Sequence, residues 1–250
     1  MENINLPSIP FELASLSQAV NYQDWVKEAV FPFLGKRILE LGSGIGTMSQ
    51  HLPARERLYL TESSALCYPT LHAQIESRQK RGELVFGEQL DLTTNWVERL
   101  TPENFDTVIS FNVMEHIEDD LLAFTQQYQI LKNSKFKGPK HLVAFVPAHP
   151  WLMGSLDHVF EHYRRYNKKR IHTLFNEIDP SCTIKMRYFN LVGVLGWFVT
   201  GRILKKKEIG IHTIRAFEKI VPLIRRFDDW IHEFLHFPLG QSLLVVVEIK

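Results

Sequence analysis

Three glycines alternate within RILELGSGIGT, Arg37 to Thr47, and an acid, Glu40, stands two residues ahead of the first. Gly42, Gly44 and Gly46 carry no Cβ, so the backbone here can approach a ligand closely and adopt positive φ. A strand that ends in such a turn before a helix, whose first N–H groups are free, suits a nucleotide-like cofactor. Spacing narrows the choice. Dinucleotide-binding turns read G-x-G-x-x-G, and Thr47 occupies the position of their third glycine. Glu40 would sit poorly beside a pyrophosphate but can pair with an ammonium group. Glu62 closes the next apolar run, 22 residues beyond Glu40. An acid at that point can accept both hydroxyls of an unphosphorylated ribose. The implied ligand has an adenosine ribose, a cationic tail and no phosphates, and S-adenosylmethionine meets all three conditions.

The elements that must hold these residues follow from hydrophobic periodicity. Tyr22, Trp25, Val26, Ala29 and Val30 predict a leading amphipathic helix over Asn21–Leu34. Apolar runs predict strands at Arg37–Leu41, Arg57–Glu62, Leu84–Leu92, Phe105–Val113 and His141–Pro147, with helices over Ser64–Gln79 and Asp119–Leu131 between them. Strands alternating with helices indicate a parallel sheet covered on both faces. Two later strands start at Ser181 and Gln241, separated by about fifty residues of helical or irregular pattern that read as an inserted cap.

These motifs resemble those of the class I S-adenosylmethionine-dependent methyltransferases. LELGSGIGT resembles their first motif, Glu62 the acid closing their second strand, and FDTVISFNVMEHIEDD, Phe105 to Asp120, their fourth motif. VPAHPWLMGSLDHVFEHYRRY, YFNLVGVLGW and GRILKKK resemble a subgroup known loosely as "type 12" methyltransferases, which extends the likeness to nearly the whole chain. The resemblance implies an α/β fold: a Rossmann-like, doubly wound, seven-stranded sheet, mostly parallel with an antiparallel last strand and helices on both faces. It implies one methyltransferase domain over 1–250, with a helical segment at 1–35, a cofactor-binding core at 36–150 and an acceptor side at 151–250 carrying a cap at about 191–240. It also implies direct methyl transfer to O, N or C of an acceptor, and a role for Tyr22 in closing over the cofactor. The expected cofactor contacts are Tyr22, Glu40, Gly42, Ser43, Gly44, Gly46, Glu62, Asp91, Leu92, Asn112 and Val113. Two registers compete for the adenine contact, Asp91 and Glu88, and Asp91 is preferred. The Asn/Asp-Pro-Pro-Tyr/Phe signature of amino and base methylation is absent after the fourth strand, which argues against DNA-base or glutamine acceptors.

His116 follows the fourth strand at the mouth of the expected pocket, where an imidazole can take a proton from an acceptor. His162 is the second candidate base. Asp157, Arg164, Arg165 and Tyr166 form a polar cluster after the fifth strand and are the expected acceptor-side residues, arginine's planar fork suiting a carboxylate or phosphate. HVFEH, His158 to His162, also matches the H-x-x-E-H metalloprotease pattern. No third ligand is evident, and no metal is expected.

Lys and Arg number 29 against 28 Asp and Glu, a net charge of +1 that gives no support to a nucleic-acid substrate. Cys67 and Cys182 form no CxxC pair, which suits a reducing cytoplasm. The first eighteen residues lack a basic stretch leading into an apolar core, so no signal peptide is expected. Tyr188 to Leu204 is the most apolar stretch and too interrupted to span a bilayer. The segment 188–207, ending in Arg202 and Lys205–Lys207, could seat at an anionic inner membrane face or roof a channel for a lipid-linked acceptor. Small-molecule and saccharide acceptors remain open. The alternatives are a non-catalytic cofactor-binding scaffold and, disfavoured by the glycine spacing, an NAD-dependent oxidoreductase.

Overall fold

In a computed structural model, Leu13 and residues 17–249 are described. The elements run in order: α1 (Val20–Val30), β1 (Arg37–Leu41), β2 (Arg57–Glu62), α2 (Tyr68–Lys80), β3 (Val85–Gln89), α3 (Val97–Leu100), β4 (Thr107–Phe111), α4 (Asp120–Lys132), β5 (Lys140–Pro147), α5 (Ser155–Val159), α6 (Lys168–Ile178), β6 (Thr183–Phe189), α7 (Leu191–Trp197), α8 (Ile211–Phe234) and β7 (Ser242–Ile249). They build a seven-stranded sheet in the order β3-β2-β1-β4-β5-β7-β6. β7 is antiparallel to both β5 and β6, while the β1, β2, β3, β4 and β5 pairings are parallel. This is the Rossmann-like sheet expected from the sequence.

Alternation along the central strands divides the core. Leu142, Ala144 and Val146 of β5 pack with Phe124 of α4 and Leu174 of α6. Val143 and Phe145 pack on the other face with Trp25 of α1, Leu71 of α2 and Val221 of α8. Burial on both faces explains why these strands read as unbroken apolar runs. Helix starts are fixed by side-chain caps: Asp119 accepts from the Leu122 N–H, Asn167 from that of Arg170, and Asn190 from that of Gly193.

Among the boundaries that differ from expectation, three shape the site. β3 ends at Gln89, because its partner β2 runs out at the Glu62–Gln89 pairing, and Asp91 and Leu92 lie on the loop beyond. α2 begins at Tyr68 rather than Ser64, since Pro69 fits only in a first turn. The helix expected after the glycines is a single 3-10 turn, Ser49–His51. Pro53 holds Leu52 extended, at ψ 133°, and stops the turn there.

The cap comprises α7, a π-helical turn at Phe198–Ile203, and α8. Of the 188–207 segment, Tyr188, Phe189 and Asn190 are buried and belong to the domain rather than to its surface. No helix among the described residues is long and apolar enough to cross a membrane.

Candidate active site

β1 lies between β2 and β4, so connections leave the sheet in opposite directions there and a crevice opens at the carboxyl ends of the strands. A cavity of about 830 Å³ occupies this position. Its floor is the glycine loop. Gly42 has φ +65°, and a Cβ there would meet Val113 Cγ2 at 2.6 Å, so only glycine lets the β1 turn pass beneath the β4 turn. Gly44 contributes its N–H, which donates to Glu62 Oε2 at 2.7 Å, while the Ser64 N–H donates to Glu62 Oε1 at 2.8 Å. Both carboxylate oxygens of Glu62 are thus held by backbone, each with a lone pair left for a ligand hydroxyl. Gly46 does not line the cavity; its φ of +84° turns the chain against Gln74, whose Nε2 donates to the Gly46 carbonyl.

Beneath the loop, Glu40 is buried, and its Oε2 accepts from the hydroxyls of Ser43 and Ser49. Burial pushes its carboxyl up to about 7, against the downward pull of those two hydroxyls. A carboxyl poised there is divided between its neutral and ionised forms near neutral pH, and an arriving cation favours the ionised one.

Asp91, Leu92, Asn112 and Val113 all line this cavity, and Glu88 does not. Glu88 sits in β3 and pairs with Arg99. Asp91 accepts from the N–H and hydroxyl of Thr93, and these bonds, the backbone one first, hold its carboxyl below the usual range. Asn112 adopts φ +50° immediately after β4 and donates its N–H to the Phe145 carbonyl at 2.8 Å, which turns the chain out of the sheet. Tyr22, from α1, also lines the cavity, and burial pushes its phenol up to about 12.

A second, largely apolar cavity of about 360 Å³ lies under the cap, walled by α7 and α8. Tyr22, Asn112 and Phe160 line both cavities. Glu115, His162 and Arg165 stand at its polar end. Asp157, fully buried, organises this end: it accepts from His162 Nδ1 at 3.0 Å, Arg165 Nε at 2.7 Å, Trp197 Nε1 at 3.0 Å and the Gly154 N–H at 2.9 Å. Burial alone would raise the Asp157 carboxyl, but the His162, Arg165 and Trp197 donors outweigh it and hold it far below the usual carboxylate range. An ionised Asp157 can only accept, so Nδ1 of His162 donates to it, and Nε2 is the ring nitrogen turned away from that bond. That Nε2 is buried without a hydrogen-bond partner among the described residues. His116 meets His162 edge to face, ring centroids 4.7 Å apart, and lines the larger cavity. Burial and the nearby His162 pull His116 down to about 4, so it is neutral at neutral pH.

The remaining expected acceptor-side residues are placed elsewhere. Arg164 donates to the carbonyls of Ile117 and Glu118 and pairs with Asp120, and it lines neither cavity. Tyr166 is fully buried, with its hydroxyl donating to the Met114 carbonyl at 3.0 Å. Both tie the loop after β5 to the turn after β4. The H-x-x-E-H pair is not a unit, because α5 ends at Val159 and leaves His158 exposed, away from the buried His162. The donor atoms of Glu115, His116 and His162 do lie within 4.8 Å of one another, near enough to share a metal ion. Sequence reasoning passed over Glu115 and Trp197, although each stands in a quoted motif, one before His116 and the other closing LVGVLGW.

No family model matches the sequence, and no curated protein matches it. Among solved structures, the chain is similar to an S-adenosylmethionine-dependent methyltransferase from Archaeoglobus fulgidus, with 13% identity, 91% of this chain and 94% of that one covered, and a TM-score of 0.54. It is similar to magnesium protoporphyrin IX methyltransferase from Synechocystis with bound S-adenosylhomocysteine, at 14% identity over 72% of this chain and 81% of that one, TM-score 0.52. Phosphoethanolamine N-methyltransferase 2 from Haemonchus contortus, in complex with S-adenosylmethionine, aligns at 16% identity over 94% of this chain and 57% of that one, TM-score 0.52. The chain therefore has the fold of the class I methyltransferases.

Proposed function

We propose that this protein is an S-adenosylmethionine-dependent methyltransferase of the "type 12" kind whose acceptor is apolar or lipid-linked. The observation that carries this reading is the Glu62 carboxylate, fixed by the Gly44 and Ser64 N–H groups, with the buried Glu40, its carboxyl raised to about 7, in the same cavity. The residues present fit the cofactor. Glu62 would offer two lone pairs to the ribose hydroxyls, Glu40 would pair with the ammonium group, and Asp91, Leu92, Asn112 and Val113, which line the same cavity, would hold the adenine end. The cofactor supplies a methyl group already activated on a sulfonium.

The protein's own work is then alignment, exclusion of water and proton removal. Tyr22, Asn112 and Phe160 are common to both cavities, so an acceptor in the apolar cavity would meet the cofactor there. His162 takes the acceptor proton at Nε2, while Asp157 holds the Nδ1 proton and stabilises the imidazolium that forms. Neutral His116 limits the positive charge beside the transferring methyl. Two free cysteines, Cys67 and Cys182, are compatible with a cytoplasmic setting.

A second reading follows from the proximity of Glu115, His116 and His162: a divalent cation bound there would position the acceptor's nucleophile, and His162 would be a ligand rather than a base. The test is transfer of labelled methyl from S-adenosylmethionine into apolar and water-soluble acceptor mixtures, with and without chelator. The base reading predicts label in an apolar product, insensitivity to chelator, and loss of transfer in His162→Ala with S-adenosylhomocysteine binding retained. Cofactor binding without any acceptor-dependent transfer would instead support a non-catalytic scaffold.

A further inference from the structure

Helix α8 buries one side against the domain and leaves an apolar stripe on another. Its inner side carries Phe217, Val221, Asp228 and His232 against the domain. Its outer side carries Ile220, Leu223, Phe227, Trp230 and Phe234, at spacings of three and four residues that place them in one stripe. Leu223 is 77% exposed and Phe234 70%. The Phe227 and Trp230 rings stack along the stripe, centroids 6.2 Å apart. A soluble helix normally presents polar residues on such a face, and a continuous apolar stripe marks an interaction surface.

Charge identifies the kind of partner. By helical spacing, Arg215, Lys219 and Arg226 run along one flank of the stripe, and all three are exposed. The acids of α8 are engaged by the domain instead. Glu218 accepts from the N–H groups of Asn21 and Tyr22, Asp228 from those of Asn190 and Leu191, and Asp229 and Glu233 pair with Arg187. The outward face is therefore apolar and basic, the pattern of a helix that lies in an anionic membrane interface. A second copy packed antiparallel, stripe to stripe, would bring two basic flanks together, whereas an anionic membrane meets both the stripe and its basic flank. The neighbouring α7 and π-turn add exposed Leu195, Ile203 and Leu204, followed by Lys205–Lys207. α7 and α8 are also the walls of the apolar cavity that reaches Tyr22 and Asn112.

We infer that the outer face of α8 docks the protein on an anionic lipid surface. The aromatic and aliphatic stripe enters the headgroup region, and the basic flank meets the lipid phosphates. Resting on the methyltransferase reading, this also names the acceptor's source: a membrane-borne molecule enters the active site between α7 and α8.

The experiment is co-sedimentation of the full chain with vesicles of mixed phosphatidylglycerol and phosphatidylcholine, and with vesicles of phosphatidylcholine alone. Three proteins are compared: the wild type, Leu223→Ser/Phe227→Ser, and Lys219→Glu/Arg226→Glu. Circular dichroism and S-adenosylhomocysteine titration verify that each variant is folded. The wild type should partition onto the mixed vesicles, and both variants should partition at least about tenfold more weakly. No binding by the wild type, or equal binding by all three, overturns the inference. So does a wild-type dimer in sedimentation velocity that the serine variant dissolves, if vesicles leave that dimer intact. Vesicle binding without S-adenosylhomocysteine binding would sink the cofactor assignment while leaving the docking surface standing.

Discussion

Glu40 gives a pH dependence that can be worked through. Its carboxyl is raised from an ordinary 4.5 to about 7, mainly by burial. A raised folded-state pKa means that the native protein holds this proton more tightly than the unfolded chain. The associated stability is fully present below pH 4.5 and is lost as pH rises through 7. With 1.36 kcal/mol per unit, the loss is about 3 kcal/mol for the unliganded protein. A ligand ammonium reverses the preference, because it favours the carboxylate. The ionised fraction of Glu40 is about 3% at pH 5.5 and about three quarters at pH 7.5, so affinity for S-adenosylhomocysteine should rise about 25-fold across that range, or about 1.9 kcal/mol. Glu40→Gln keeps the shape and the partners but cannot titrate, and its affinity should stay flat. Calorimetric titrations at several pH values, in buffers of different ionisation enthalpy, measure both the slope and the protons released. A flat wild-type profile, or an equal slope in the glutamine variant, would refute the placement of the cationic end at Glu40.

Other substitutions test the remaining parts of the site. Gly42→Ala places a methyl 2.6 Å from Val113 at φ +65° and should cost about 1–3 kcal/mol in urea unfolding, with cofactor affinity falling in parallel. Asp157→Asn removes the charge that pairs with buried Arg165 and turns one of the two acceptor oxygens into a donor amide, so either His162 and Arg165 or Trp197 and Gly154 lose their acceptor. It should lower stability by about 3 kcal/mol and turnover by about 100-fold or more, while S-adenosylhomocysteine binding persists. Tyr166→Phe loses the bond to the Met114 carbonyl and the hydroxyl's contact with Arg164, so a stability cost of about 1 kcal/mol with unchanged turnover is expected in paired unfolding and activity assays.

The sheet was readable because its central strands are buried on both faces, and burial leaves little choice of residue. The glycine loop and its two acids were readable for a related reason: each of those backbone conformations and charges has few substitutes. What spacing could not convey was direction. Arg164 and Arg165 are neighbours in sequence, yet one reaches back to the turn after β4 and the other into the apolar cavity beneath Trp197. His158 and His162 have helical spacing but fall on either side of a helix end. Asp91 reaches the cavity although it lies beyond its strand, because pairing with β2 sets where β3 stops. The outer stripe of α8 was hidden for a different reason. The helix's apolar arc is so wide that it covers both the packed side and the exposed stripe, and Pro222 interrupts the pattern, so the segment read as an irregular cap. Glu115 was passed over beside a histidine whose chemistry seemed the more obvious.

The central claim is that the crevice between β1 and β4 takes S-adenosylmethionine by its ribose, and Glu62 tests it most directly. Titration calorimetry with S-adenosylhomocysteine should show micromolar binding to the wild type, about −8 kcal/mol, and at least about tenfold weaker binding to Glu62→Ala, with NADH giving no heat in either. Absence of binding to the wild type would contradict the account of the site, and equal binding by both proteins would show that the ribose rests on another residue.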